Sequence, residues 1–157
     1  MVEQDFDKLR NFNIDTKDYK GNRLFTSEVL ENTKFELVKI LDELQTVILY
    51  THKLSIHCLW EKGGHVSNST HYRGIAADFH IEPKPKNMRE YMLHVALVQR
   101  FIEQRGIDDK CGFGVYPDWN NKGFHLDLRG KKARWGYIGN QMKGFEETVA
   151  YIKSKYL

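Results

Sequence analysis

Residues 124–128 read Phe-His-Leu-Asp-Leu, a strict alternation of apolar and polar side chains. In an extended strand, alternate residues point to opposite faces. The segment therefore asks for a sheet with Phe124, Leu126 and Leu128 on one face and His125 and Asp127 together on the other. A polar pair on an otherwise apolar strand can line a cavity. The plainer reading is a hydrogen-bonded surface pair.

The rest of the chain has to supply partner strands and a cover for the apolar face. Residues 54–60 are apolar enough for a strand, and 61–70, rich in Gly, Ser, Asn and Thr, read as a loop. Residues 75–81 read as a second strand, stopped by Pro83 and Pro85. Residues 111–116 and 123–129 predict a hairpin around the turn-like 117–122. Two helices are expected between these strands and their N-terminal flank. Thr33 with Glu36 forms a capping box ahead of Leu37, Ile40, Leu41, Leu44, Val47 and Ile48 at helical spacing. Asn87 with Glu90 caps another, whose stripe is Met88, Met92, Val95, Val98 and Ile102 and whose stop is Gly106. Residues 141–156, with Met142, Phe145, Val149 and Ile152, predict a closing helix, and 1–25 read as an irregular lead-in. The sum is an α+β fold, a small and mostly antiparallel sheet with flanking helices, in one domain over residues 1–157.

Composition narrows the function classes. A hydrophobic content of 41% and a charged content of 29% over 157 residues fit a globular domain with its own core. The net charge of +3 is mild, and no run of Lys and Arg is interleaved with aromatics, so no nucleic-acid partner is expected. No segment approaches the roughly 20 apolar residues of a membrane span. The polar N-terminus lacks the apolar core of a secretory signal, so synthesis in the cytoplasm is expected. Cys58 and Cys111 are far apart and in no CxxC pair, which excludes a zinc cage of thiolates and leaves two buried or free thiols.

Chemistry concentrates in residues 69–78, Ser-Thr-His-Tyr-Arg-Gly-Ile-Ala-Ala-Asp. His71 and Asp78 lie where a loop enters a strand, separated by Gly74 for a tight turn and by alanines that leave room for close packing. Imidazole and carboxylate are the usual ligands of a reactive zinc, which takes three protein ligands and keeps a fourth position open. His125 is the third candidate.

Residues 69–78 also resemble, without a gap, the Ser-x-His-x-x-Gly-x-Ala-x-Asp signature of the zinc D-Ala-D-Ala carboxypeptidase family, which shares its fold with the hedgehog signalling domain. Gly114-Val115-Tyr116-Pro117, Phe124-His125-Leu126-Asp127-Leu128-Arg129-Gly130 and Ala133-Arg134-Trp135 are similar to the ending of one branch of that family. The resemblance covers residues 25–135. It implies a zinc ion bound by His71, Asp78 and His125, and hydrolysis of peptidoglycan stem peptides, as carboxypeptidase or endopeptidase, often as a phage lysin. Such a protein would be a monomer that reaches the cell wall after release. Many relatives carry a carboxylate general base three residues before the last zinc His, where this chain has Lys122. Many also carry an Arg for the substrate carboxylate ahead of the signature, and residues 56–62 contain none.

With Lys122 in that position, Asp127 is the expected general base, on the strand face of His125, with Asp118 and His80 behind it. Ser69 is expected to orient a ligand or cap a turn, since no Ser-His-Asp arrangement surrounds it. Asp118 reads as a solvated turn residue. Tyr116, Trp119 and Trp135 read as core aromatics, with a substrate groove as the other use. His52, His57, His65 and His94 receive no functional assignment. The rival reading is a binding or structural protein, such as a phage virion component, that keeps the fold without catalysis.

Overall fold

The computed structural model describes residues 1–48 and 51–156. Six strands form one sheet in the order β1-β2-β4-β3-β5-β6: β1 Lys53–Cys58, β2 Ala76–Glu82, β3 Gly112–Tyr116, β4 Gly123–Asp127, β5 Ala133–Ile138 and β6 Gln141–Gly144. All neighbours are antiparallel except β3 and β5, so the α+β sheet is mixed but mostly antiparallel, as expected. Helices α1 Ser27–Asn32, α2 Phe35–Ile48, α3 Met88–Gln104 and α4 Phe145–Ser154 flank it. None of the described helices is long and apolar enough to cross a membrane.

The alternation of 124–128 sorts the sheet into two chemically distinct faces. Ala77, Phe79, Ile81, Phe113, Val115, Phe124 and Leu126 join one core cluster with Leu37, Leu41, Leu44, Val95, Val98 and Ile102 of α2 and α3. Burial of each large side chain contributes roughly 1.5–3 kcal/mol. Tyr91 of α3, fully buried, locks the hairpin end by donating to Gly123 O at 2.6 Å and accepting from Tyr116 N at 2.9 Å. The opposite face carries Asp78, His80, His125, Asp127, Tyr116 and Trp135.

Several local expectations need correction. Thr33 does not cap α2: it ends α1, its Oγ1 has no partner, and α2 starts at Phe35. Val47 is 57% exposed rather than part of the α2 stripe. Asn87 does cap α3, accepting from Glu90 N at 3.0 Å. Residues 141–144 form β6 instead of a first helical turn, which leaves Met142 on the surface. The lead-in contains a 3-10 turn at Glu3–Lys8 and buries Phe12, Leu24 and Phe25. Buried Asp42 of α2 anchors it by accepting from the backbone N–H groups of Arg10, Asn11 and Phe12 at 3.0, 2.7 and 3.1 Å.

Gly74 docks the site loop against the helices. Its φ is +67°, its carbonyl accepts from Lys34 N at 2.9 Å, and an added Cβ would lie 1.7 Å from Asn32 O. Gly74→Ala should therefore cost about 3 kcal/mol or more, left-handed strain adding to a backbone clash. Urea unfolding measures it, and a loss under about 1 kcal/mol, or the gain of up to about 1 kcal/mol that Gly→Ala gives at an unstrained position, would contradict this account.

Candidate metal centre

Successive tight turns build the loop that presents His71. Tyr72 N bonds to Ser69 O, Arg73 N to Thr70 O and Gly74 N to His71 O at 3.0–3.2 Å. Ser69 Oγ accepts from His71 N at 3.2 Å, the turn-capping part expected of it. His71 Nδ1 lies 2.7 Å from Leu59 O. A carbonyl only accepts, so Nδ1 carries the proton and Nε2 is left with a lone pair.

That Nε2 is the informative atom. His71 is 1% exposed, and Nε2 has no hydrogen-bond partner. It stands 3.3 Å from Asp78 Oδ1 without bonding to it. His125 Nδ1 approaches the same oxygen to 2.9 Å. Cross-strand register explains the convergence: Asp78 of β2 lies opposite His125 of β4, which lies opposite Gly114 of β3. His71, Asp78 and His125 each offer one ligand atom within 4.8 Å of the others, so the three residues singled out in the sequence do come together. Two imidazoles and a carboxylate around a bare, buried nitrogen fit a divalent cation such as zinc.

Charge supports the fit. Burial alone would raise the Asp78 carboxyl, but the His125 and His71 rings outweigh it and hold Asp78 well below the usual carboxylate range. Burial opposes a charge on His125, yet Asp127 and Asp78 on its two sides raise it to about 9. A proton thus sits where a cation would bind between His125 and Asp78. Cys58, His65 and His71 make a second group of possible ligands. Burial and Asp78 push the Cys58 thiol far up in the metal-free chain.

Asp127 is fully buried and engaged on both oxygens. Oδ2 lies 2.8 Å from His125 Nε2 and accepts from Arg129 Nη2 at 2.5 Å; Oδ1 accepts from Arg129 Nε at 2.8 Å and Arg129 N at 3.1 Å. Gly112 leaves room for this pair: a Cβ there would lie 2.6 Å from Asp127 Oδ2 and 2.7 Å from Arg129 Nε. The Arg129 guanidinium stacks 4.9 Å over Trp135, whose ring lies 5.2 Å from His125. Gly114 makes the matching space, since its Cβ would lie 2.6 Å from the Trp135 ring.

The remaining expectations divide. His80 shares the face of Asp78 but bonds to His57 and Glu82, not to the ligands. Lys122 Nζ turns away to donate to Pro117 O at 2.7 Å. Asp118 is exposed yet structural, accepting from Gly139 N at 2.7 Å and Tyr151 Oη at 2.9 Å. Tyr116, Trp119 and Trp135 are half-buried on the site face rather than core residues, with Tyr116 stacked on Trp119 at 4.1 Å. Three residues in contact with the centre received no role from the sequence: Arg129, Thr70 (3.3 Å from Asp127 Oδ2) and His65, stacked on His71 at 4.2 Å. No protein-family model, curated protein or solved structure matches the chain.

Proposed function

We propose that the protein is a zinc-dependent peptidase that hydrolyses peptidoglycan stem peptides or their cross-links, acting on the cell wall after release. The observation that carries this reading is the buried, unpartnered His71 Nε2, aimed at the oxygen that His125 also approaches. The signature resemblance of residues 69–78 supplies the reaction class.

His71 Nε2, Asp78 Oδ1 and His125 Nδ1 would hold the ion. Bound zinc supplies Lewis acidity, which lowers the pKa of water and polarises a carbonyl. The protein's own residues do the rest. Leu59 O fixes the His71 tautomer through Nδ1. Asp127 takes Nε2–H of His125 and thereby frees Nδ1 as a ligand, while Arg129 neutralises the carboxylate and clamps it. This assigns Asp127 to orienting His125 in place of the general-base role expected from its strand face. Its lone pairs are committed, and Arg129 and His125 overcome burial to hold it well below the usual carboxylate range. A carboxylate so stabilised is a poor proton acceptor.

Purified peptidoglycan incubated with the zinc-loaded protein, with and without chelator, tests the reading. The expected result is release of stem-peptide fragments, identified by mass, that chelator stops and zinc restores. Absence of any such fragment at full zinc occupancy overturns it in favour of a non-catalytic binding or virion protein.

A further inference from the structure

The turn between β3 and β4, residues 117–122, commits its charged side chains and leaves its neutral ones to a groove. Asp118 accepts from Gly139 N and Tyr151 Oη at 2.7 and 2.9 Å, and Lys122 Nζ donates to Pro117 O at 2.7 Å. Trp119, Asn120 and Asn121 line an open groove of about 260 Å³ together with Tyr19 and His57. Of these five residues only His57 titrates near neutral pH, and burial lowers it to about 4. The lining is therefore uncharged. The Asn120 and Asn121 carboxamides make no hydrogen bond among the described residues, so their donors and acceptors are free for a ligand.

An aromatic row leads from this groove to the metal centre. Trp119 stacks on Tyr116 at 4.1 Å with the rings 21° apart, and Tyr116 stacks on Tyr137 at 5.3 Å. Trp135 Nε1 donates to Tyr116 Oη at 3.1 Å, and the Trp135 ring lies 5.2 Å from His125. The row continues from Trp119 to His57 at 5.7 Å and from His57 to Tyr19 at 4.4 Å. Tyr19 is 39% exposed, while its backbone N–H donates to Ile56 O at 2.9 Å and ties the lead-in to β1. The core cluster lies on the opposite sheet face, so core packing does not account for the row. Aromatic surface left open beside polar side chains marks a binding site.

We propose that this groove binds one N-acetylhexosamine residue of a glycan strand, so that the protein holds its polymer by the sugar as well as by the peptide. The choice of polymer rests on the peptidoglycan reading above. A pyranose offers a C–H face that packs on an aromatic ring, and its hydroxyl and acetamido groups pair with carboxamides, which both donate and accept. A stem peptide is the competing occupant. It brings carboxylates and amines, for which the lining has no counter-charge.

The N-acetylglucosamine tetramer, which carries no peptide, is the probe. Titrated into the zinc-loaded chain, it should shift the Trp119 indole N–H and the Asn120 and Asn121 side-chain amide signals in nitrogen-15 NMR. Chelator should leave the binding curve unchanged, because none of the three metal-ligand residues lines the groove. Trp119→Ala should weaken binding by roughly 3- to 10-fold, and so should Tyr19→Ala, an exposed position whose backbone bond to Ile56 survives the change. Absence of these shifts at millimolar tetramer overturns the proposal, as does binding that both variants leave at wild-type strength. Binding that chelator abolishes puts the sugar on the metal and overturns it as well. A free stem peptide that moves these signals in place of the tetramer overturns it in favour of a peptide subsite. The peptidase reading fails separately: tetramer binding without release of stem-peptide fragments sinks hydrolysis and keeps the groove, whereas release without tetramer binding sinks the groove alone.

Discussion

Replacing His71, Asp78 or His125 by alanine is expected to strip zinc from the protein, while His94→Ala and His57→Ala keep it. Each ligand atom is single, and the two other donors nearby, His65 and Cys58, hold other partners. His65 is stacked on His71 and tied to Glu61, and the Cys58 thiol donates to Asp78 Oδ2 at 3.6 Å. Structural zinc sites bind with about 10–16 kcal/mol near neutral pH, so one ligand of three or four is worth roughly 3 kcal/mol, or more than about 100-fold in affinity. Asp127→Asn is the graded case. It leaves all three ligands in place but exchanges a carboxylate for an amide that can donate as well as accept, which weakens the grip on His125 Nε2–H. The loss should be about 10- to 100-fold. Elemental analysis after dialysis against buffered zinc gives the order of occupancies: wild type, then Asp127→Asn, then the three ligand variants. Full occupancy in His125→Ala would sink the assignment of the centre.

What could be read from the sequence follows from how local each signal is. The alternation of 124–128 and the Asn87 cap are decided within one strand or one helical turn, and both stand in the structure. His71, Asp78 and His125 were legible because a turn, a glycine and a strand face sit within short spans. The β5–β6 hairpin was not, because β5 is held by its parallel pairing to β3 and residues 141–144 are mostly exposed, with no apolar alternation to display. A helical reading of Met142 was the natural error. The contact of His57 with His80 was hidden for a related reason. The direction of the His57 side chain depends on a bulge, and a register slip of one residue between β1 and β2 leaves no mark on either strand alone. The shared face of His125 and Asp127 was readable. That Arg129, just beyond the strand end, folds back to claim the carboxylate was not, since a two-residue offset past a strand end carries no periodicity.

Chelation is expected to lower the melting temperature by roughly 8–16 °C without unfolding the protein at room temperature. The core lies on the sheet face opposite the metal centre. Phe79, Phe113, Phe124 and Leu126, all with no exposed surface, pack with α2 and α3 there and make no use of the ion. The metal-free centre is also not left with naked like charges, because His125 takes a proton and bridges Asp78 and Asp127 at 2.9 and 2.8 Å. Metal therefore adds stability by mass action. At free zinc about 1,000 times the dissociation constant the gain is roughly 4 kcal/mol. Each kcal/mol moves the midpoint of a domain of this size by about 2–4 °C. Circular dichroism melts of loaded and chelated protein measure the difference, and the chelated protein should keep its far-ultraviolet spectrum at 25 °C. The His125→Ala protein should melt at the same temperature with or without zinc, which separates a bound ion from a general effect of the chelator. Collapse of the spectrum on chelation would make the ion a structural element of the fold, and an unchanged midpoint would mean that the three ligand atoms hold no metal.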